Sequence, residues 1–446
     1  MTLLRDQYNM SSSEAQINEL RAPGELKEVR WAIISCSLGQ LFEVFDFLIF
    51  GLFAAQIGRA FFPNADPIIS LLSSLATFGA GFLMRPLGAL VLGYFGDRYG
   101  RKHALAASIA LMAAASGFTG LVPSYASIGI TGTILLVACR LLQGFSMGGE
   151  WGGAATFLSE HAPAARRGLV GSFQAIGGGI AALIASLTAA VMHSTLDDAA
   201  LNAWGWRVPF IVGSFLGPFA LYLRTRVKET PAFTKVMTAH EVTRVPLKDV
   251  FTQYGGAVAT AIGISAISVT LQYMYVVFLP QYATQTLKID QQAAFYTSAI
   301  GSVINISLLP VMGALSDRIG RRVMIVGCAF LSLTTTYPLF LLLVHFPTAS
   351  GLLAVQLASN IIQPVFTGTI TAVLAELFVT KVRYTALSLS YAISVITFGG
   401  FSPFIATYLV RTTGNLLSPA YLVMAVALIS CVAAMFVKER GNTELT

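Results

Sequence analysis

Gly93-Tyr-Phe-Gly-Asp97-Arg98-Tyr-Gly100-Arg101-Lys102 recurs 220 residues later as Gly313-Ala-Leu-Ser-Asp317-Arg318-Ile-Gly320-Arg321-Arg322. Each copy sits in a short polar joint between two long apolar runs. A second pair of joints repeats the relation: Glu160 and Arg167 follow one apolar run, and Glu376 and Arg383 follow another with the same separation, 216 residues on. The chain therefore reads as two copies of one unit. Glycine lets such a joint reverse and lets a neighbouring helix approach, while an Asp among basic residues makes charge-assisted contacts that break and reform. Positive anchoring alone would account for one copy, but not for two at equivalent positions.

Outward from these joints lie apolar runs of roughly 20 to 25 residues, the length a helix needs to cross about 30 Å of hydrocarbon. Of the 446 residues, 55 % are hydrophobic and 11 % charged, against about 25 % charged in a soluble domain, and the mean hydropathy is +0.71. So few charges build no water-facing shell, which excludes soluble enzymes, secreted disulfide scaffolds and disordered chains. The formal charge of +7 is scattered through the joints and forms no basic face with interleaved aromatics, so nucleic acid is not expected as a partner. Cys36, Cys139, Cys328 and Cys431 lie singly in apolar runs and read as inert buried thiols. Five dispersed histidines give no zinc spacing, and no Walker lysine or nucleophile elbow is present. The reading is of a non-enzyme without metal or cofactor, driven by an ion gradient. Protons are expected, and sodium stays open.

The runs count to twelve: 31–53, 69–93, 103–122, 133–158, 169–192, 206–224, 254–282, 292–315, 323–345, 350–376, 385–410 and 419–437. With the N-terminus inside, 22 of the 28 Lys and Arg fall on the side of the termini, which makes both termini cytoplasmic. The expected fold is an all-α membrane protein with twelve transmembrane helices in two six-helix bundles. A cytoplasmic tail (1–30) precedes the first bundle (31–224), and a linker (225–253) leads to the second bundle (254–437) and the tail 438–446. The polar tail, with hydrophobicity beginning only at Trp31, argues against a cleaved signal peptide.

Five ionisable residues fall inside runs: Glu43 and Asp46 in the first, Arg85 in the second, Arg140 and Glu150 in the fourth. Each costs roughly 2.5 to 3.5 kcal/mol facing lipid, so all five are expected to turn inward. At 1.5 Å per residue, Asp46 lies about 22 Å and Arg140 about 28 Å from the cytoplasmic ends of their runs, a gap that tilt closes. Glu43, Arg85 and Glu150, at about 12 to 18 Å, form a second set nearer the cytoplasm. An Arg beside Asp46 favours its charged form until substrate competes for the Arg, a physical route to coupling. Buried ion pairs that only fix helix packing are the competing reading. The second half has no mid-run Lys or Arg, and offers Gln272, Tyr273, Tyr275, Asn305, Asn360, Gln363 and Tyr391 as polar inward candidates. A site between the halves would hold anionic groups against Arg140 and Arg85, with hydrogen bonds from Gln143 and from Gln272, Tyr273, Asn360, Gln363 and Tyr391. Proton-coupling candidates are Asp46, Glu43 and Glu150. Glycines 144, 148, 149, 152 and 153 form small-residue packing faces, and neither they nor Gly177 to Gly179 are expected to bind ligand.

The duplicated joint resembles the signature of the major facilitator superfamily, and the resemblance covers nearly the whole chain. Phe42-Glu43-Val44-Phe45-Asp46-Phe47, Gly81-Phe-Leu-Met-Arg85-Pro86-Leu-Gly88, Arg140-Leu-Leu-Gln143-Gly144-Phe-Ser-Met-Gly148-Gly149-Glu150, Trp204-Gly-Trp206-Arg207-Val-Pro209-Phe210 and Lys228-Glu229-Thr230 together resemble its metabolite:proton symporter branch. The resemblance implies import of a small organic solute with protons by alternating access: citrate and related tricarboxylates, 2-oxoglutarate, shikimate, or proline and betaine. Phe61-Phe62-Pro63, Phe398-Gly399-Gly400 and Ser418-Pro419 are most similar to the citrate and tricarballylate carriers, so a di- or tricarboxylate is the first expectation and a betaine-like zwitterion or shikimate the second. It also implies a span-one acid facing a span-four Arg, as in proton-coupled sugar porters, and gating by Asp97, Arg98, Arg101, Glu160, Arg167, Asp317, Arg318, Arg321, Glu376 and Arg383. A transporter-like sensor is the reading from another class; a monomer in the bacterial inner membrane is the expected setting.

Overall fold

The computed structural model describes residues 23–99, 101–226 and 247–437, with the side chains of most of them. The side chains of Asp97, Arg98, Arg101 and Glu160, residues 1–22 of the tail, most of the 225–253 linker and the 438–446 tail lie outside the described residues.

The first part of the chain forms α1 (Pro23–Leu52), α2 (Ala54–Phe61), α3 (Pro67–Leu83), α4 (Arg85–Tyr99), α5 (Arg101–Leu121), α6 (Ile130–Met147), α7 (Glu150–His161), α8 (Arg167–Thr195) and α9 (Val208–Arg226). The second forms α10 (Leu247–Tyr273), α11 (Gln291–Ile319), α12 (Arg321–His345), α13 (Ala349–Thr367), α14 (Ile370–Leu377), α15 (Thr380–Ser394), α16 (Ser402–Thr413) and α17 (Ser418–Ala434). The described residues contain no strand. Nine helical stretches among them are long and apolar enough to cross a membrane, and Ala106–Leu121 and Ser418–Ala434 are shorter apolar helices.

Several helix starts follow from capping. Asp66 accepts from Ile68 N ahead of α3, Asp290 from Ala293 N ahead of α11 and Thr348 from Gly351 N ahead of α13, each satisfying an otherwise orphaned first-turn donor. Pro67 occupies the first turn of α3, where a missing N–H costs nothing. In the second copy of the repeated motif Gly320 takes φ 100° between α11 and α12, a conformation glycine adopts without a Cβ clash.

The long runs are not uniform rods. Breaks at Gly148–Gly149 and Gly368–Thr369 split the fourth and tenth runs into α6/α7 and α13/α14. Wide π turns occupy Met274–Phe278, Tyr282–Thr286 and Val395–Gly400, and such turns concentrate at functional places. Close approach between α6 and the α3–α4 pair depends on glycine: a Cβ on Gly144 would lie 1.5 Å from Gly81 O, and one on Gly88 1.8 Å from Phe145 O.

Two large apolar cores result among the described residues. One centres on Phe47, Phe50, Phe53, Phe78, Phe82 and Phe210 in the first part of the chain, and the other on Ile264, Leu271, Phe278, Phe340 and Phe366 in the second. They meet along α8 against α11, α7 against α14 and α15, and α3 against the 395–400 turn.

Candidate functional site

Between these surfaces lies a cavity of about 70 Å³, room for a few waters or part of a small solute. Its polar lining comes from both parts of the chain. Gln40 stands on α1 and Gln174 on α8, facing Ser268 and Gln272 on α10, Ser302 and Asn305 on α11, Asn360, Gln363 and Thr367 on α13, and Thr371 on α14. Trp151 and Tyr391 complete it, stacked on each other with ring centroids 3.5 Å apart and planes 6° apart. The lining holds six amides and no Asp, Glu, Lys, Arg or His. The amides are partly committed. Gln174 Nε2 donates to Trp151 O at 3.1 Å, Asn305 Nδ2 to Gln363 Oε1 at 3.0 Å, and Asn360 Nδ2 to Gln356 O at 2.8 Å. Gln40 Oε1 finds no hydrogen-bond partner among the described residues. Such a surface offers donors and acceptors to both ends of a polar solute but no fixed charge to balance a net-charged one.

Of the polar residues expected from sequence, Gln272, Asn305, Asn360, Gln363 and Tyr391 line the cavity; Arg85, Arg140, Gln143, Tyr273 and Tyr275 do not. Gln40, Trp151, Gln174, Ser268, Ser302, Thr367 and Thr371 were missed. Gly178 and Gly179, expected only to pack, also line it. A single amide or aromatic in an apolar run has no spacing signal; the one hint was Gln40 three residues before Glu43, on the same helical face.

The two arginines buried within the apolar runs of the first part of the chain each stand against an acid of α1. Arg140 Nη1 meets Asp46 Oδ2 at 3.1 Å, and Ser116 Oγ donates to the other oxygen of Asp46. Arg85 Nη2 meets Glu43 Oε1 at 2.8 Å. All four charged side chains are at most 5 % exposed. Nε and Nη2 of Arg140 and both amide atoms of Gln143 find no hydrogen-bond partner among the described residues. The Arg140 guanidinium lies instead 4.2 and 4.3 Å from the ring centroids of Phe47 and Phe50, where the ring faces attract a cation. Arg85 lies 5.7 Å from the Phe82 ring and 5.9 Å from that of Tyr391, the cavity residue. Tyr273 packs edge-on against Phe78 and Phe82. Glu150 is buried at the first turn of α7.

At the end of the molecule that carries the repeated joints, Asp317 joins the two parts of the chain. Its carboxylate accepts from Gly168 N at 2.8 Å and Leu169 N at 2.9 Å, the first-turn donors of α8, and pairs with Arg321 at 2.8 Å. Arg321 also reaches Glu376 at 3.3 Å, and Arg383 Nε donates to Ala375 O and Phe378 O. Arg167 is buried next to this cluster in sequence, and Arg318 is exposed. The structure thus gathers Asp317, Arg321 and Glu376 in one ionic cluster with Arg383 beside Glu376, and leaves Arg318 outside.

The far end is tied independently. Gln281 Nε2 donates to Gly51 O and Leu52 O, and His193, stacked between Phe53 and Phe295, is 3.2 Å from Gln291 Nε2. Arg411 meets Asp66 at 2.6 Å. The Ile68 N–H, and then Arg411, hold the Asp66 carboxyl below the usual carboxylate range. Its folded-state value being depressed, this tie is intact at neutral pH and is lost only as pH falls through the lowered value.

The comparisons with known proteins agree with this architecture. Residues 31–250 match the family model described as "Sugar (and other) transporter", and residues 261–445 that described as "Major Facilitator Superfamily". The chain is 36 % identical to a proline/betaine transporter of Escherichia coli (strain K12), over 94 % of this chain and 85 % of that one. It is 33 % identical to a citrate-proton symporter of Klebsiella pneumoniae, over 93 % of each. Among solved structures, a proton:xylose symporter, XylE, superposes with a TM-score of 0.76 at 16 % identity, covering 94 % of this chain and 98 % of that one. A partially occluded inward-open form of XylE from E. coli gives 0.70 at 17 % identity, covering 94 % and 100 %. Those structures support the fold, and the sequence relatives support the kinship: this chain belongs to the major facilitator superfamily, a family of multi-pass membrane transporters and not of enzymes.

Proposed function

We propose that the chain is a proton-coupled symporter that imports a small, net-neutral zwitterion of the betaine or proline kind by alternating access. The observation that carries the solute class is the cavity lining, which has six amides, a stacked aromatic pair and no charged side chain. A zwitterion brings its own cation and anion. Its carboxylate takes amide N–H donors, and its ammonium lies against Trp151 and Tyr391 as cations do on aromatic rings. The setting is a monomer in the bacterial inner membrane, with twelve spans in two six-helix bundles (31–224 and 254–437) and both termini cytoplasmic. On that orientation the Asp317 cluster is cytoplasmic and the Asp66–Arg411 pair external. Asp46, held by Arg140 and Ser116, is the first proton carrier, and Glu43, held by Arg85, the second.

This solute departs from the tricarboxylate expected from sequence. A tricarboxylate in the cavity meets no cation unless Arg85 or Arg140 leaves its acid, and breaking a buried pair that way costs roughly 3 to 5 kcal/mol. The citrate-proton symporters among the relatives, at 33 and 34 % identity, favour this as the second reading, since a proton on Glu43 or Asp46 would release an arginine for an anion. Proteoliposomes with an inward proton gradient separate the two. Labelled betaine or proline should accumulate and be lost with a protonophore, while citrate should not compete. Accumulation of citrate in preference, abolished by Arg85→Gln or Arg140→Gln, would overturn the zwitterion reading. Accumulation that needs a sodium gradient instead would overturn proton coupling.

A further inference from the structure

Trp151 and Tyr391 belong to opposite parts of the chain, α7 and α15, and both face the cavity. Their parallel rings at 3.5 Å form a direct aromatic bridge across the interface beside the solute space. The backbones flanking the bridge are tied in the same register, with Tyr384 Oη donating to Gly149 O at 3.0 Å and Ser388 packed where a Cβ on Gly152 would sit. Below them, toward the repeated joints, lies the Asp317 cluster. A solute leaving by that route must part the two rings.

Tyr391 is also a cavity residue within reach of a buried cation. Arg85 lies 5.9 Å from its ring centroid while its Nη2 holds Glu43 at 2.8 Å. A guanidinium shared between a carboxylate and a ring face shifts toward the ring when the carboxylate loses its charge. Tyr273 and Tyr391 also interact electrostatically with Glu43, and Asp46 stands three residues further along α1.

We infer that Tyr391 is a positioning residue that couples the Glu43–Arg85 pair to the gate: with Glu43 protonated and the cavity empty, Arg85 braces the Tyr391 ring against Trp151, so a carrier holding a proton but no solute stays shut. A solute in the cavity competes with the stack, the rings part, and solute and proton leave together. The only chemical step is proton transfer between water and the Glu43 carboxylate. The inference rests on the symport reading above and adds to it a device against proton slip.

The test compares wild type, Tyr391→Phe, Tyr391→Leu and Trp151→Leu in proteoliposomes carrying an internal pH dye, with a pH gradient and no solute. Removing either ring should raise solute-free proton leak at least tenfold over wild type and move the pH profile of the leak. Tyr391→Phe keeps the ring face and should stay as tightly coupled as wild type, whatever its turnover. The leak is measured without solute, so variants are compared when they are monodisperse and unfold as cooperatively as wild type; if Tyr391→Leu fails that check, Trp151→Leu carries the test. Leak equal to wild type in the Leu variants overturns the gate, as does equal leak in Tyr391→Phe and Tyr391→Leu. Wild type that moves no protons with solute overturns the symport reading itself, a separate outcome.

Discussion

Asp46 and Glu43 stand three residues apart on α1, yet each takes a different arginine from a different helix. The environments differ as well. Asp46 also accepts from Ser116, and its arginine rests on two phenylalanine rings away from the cavity, whereas the arginine of Glu43 touches a cavity residue. That asymmetry suits Asp46 to take up the transported proton ahead of Glu43. Asp46→Asn keeps the shape and a polar contact to Ser116 and Arg140 but cannot titrate. It should abolish uphill uptake while leaving solute exchange across equilibrated vesicles within a few-fold of wild type. Accumulation equal to wild type would move the role to Glu43 or Glu150. That these charges turn inward and pair was legible in the sequence because an uncompensated charge inside a span is costly enough to demand a partner, but not that Arg85 takes Glu43 rather than Glu150. Gln40 and Gln174 were not legible, because a buried amide can be satisfied by its own helix neighbourhood and carries no such demand.

The elements show where the repeat has physical content. In the second copy of the joint, Gly320 makes the turn with φ 100°, and Asp317 reaches across to cap the N-terminus of α8, where the helix dipole and two free N–H groups favour a carboxylate. Asp317→Asn loses the charge, the pairing with Arg321 and one acceptor oxygen. Hydrogen bonds to a charged group contribute roughly 1.5 to 3 kcal/mol each, so losing part of this cap should shift the population toward inward opening by about tenfold or more. Single-cysteine labelling from the cytoplasmic face reads that shift; unchanged labelling would count against a latch. The expected counterpart at Asp97, Arg98, Arg101 and Glu160 lies outside the described side chains. Periodicity and length made the helices legible, but not the breaks at Gly148–Gly149 and Gly368–Thr369 or the π turns. These depend on how neighbouring helices approach, and they rotate the segment beyond them. Nor did period alone tell that Tyr391 faces the cavity while Tyr273 packs on Phe78 and Phe82.

For the molecule as a whole, the charge carried per cycle separates the two solute readings more sharply than affinity does. Both ends are tied across the interface, by Asp317 at one and by Gln281 and Asp66–Arg411 at the other, and the charge per cycle is that of the solute plus the protons that cross with it. A net-neutral zwitterion accompanied by one proton moves one positive charge. A potential of 100 mV, negative inside, then contributes about 2.3 kcal/mol, or roughly fifty-fold accumulation without any pH gradient. A trianion accompanied by three protons moves no net charge and is indifferent to the potential, and with two protons it is opposed by it. Vesicles loaded with potassium and treated with valinomycin, at equal pH on both sides, impose the potential alone. Betaine or proline uptake should rise steeply with the potassium gradient, approaching fifty-fold per 100 mV at equilibrium, and Asp46→Asn should lose that dependence because its cycle carries no proton. Accumulation of a zwitterion that ignores the potential would mean that no net charge crosses with it, which the uncharged lining and one proton passed between Asp46 and Glu43 cannot accommodate.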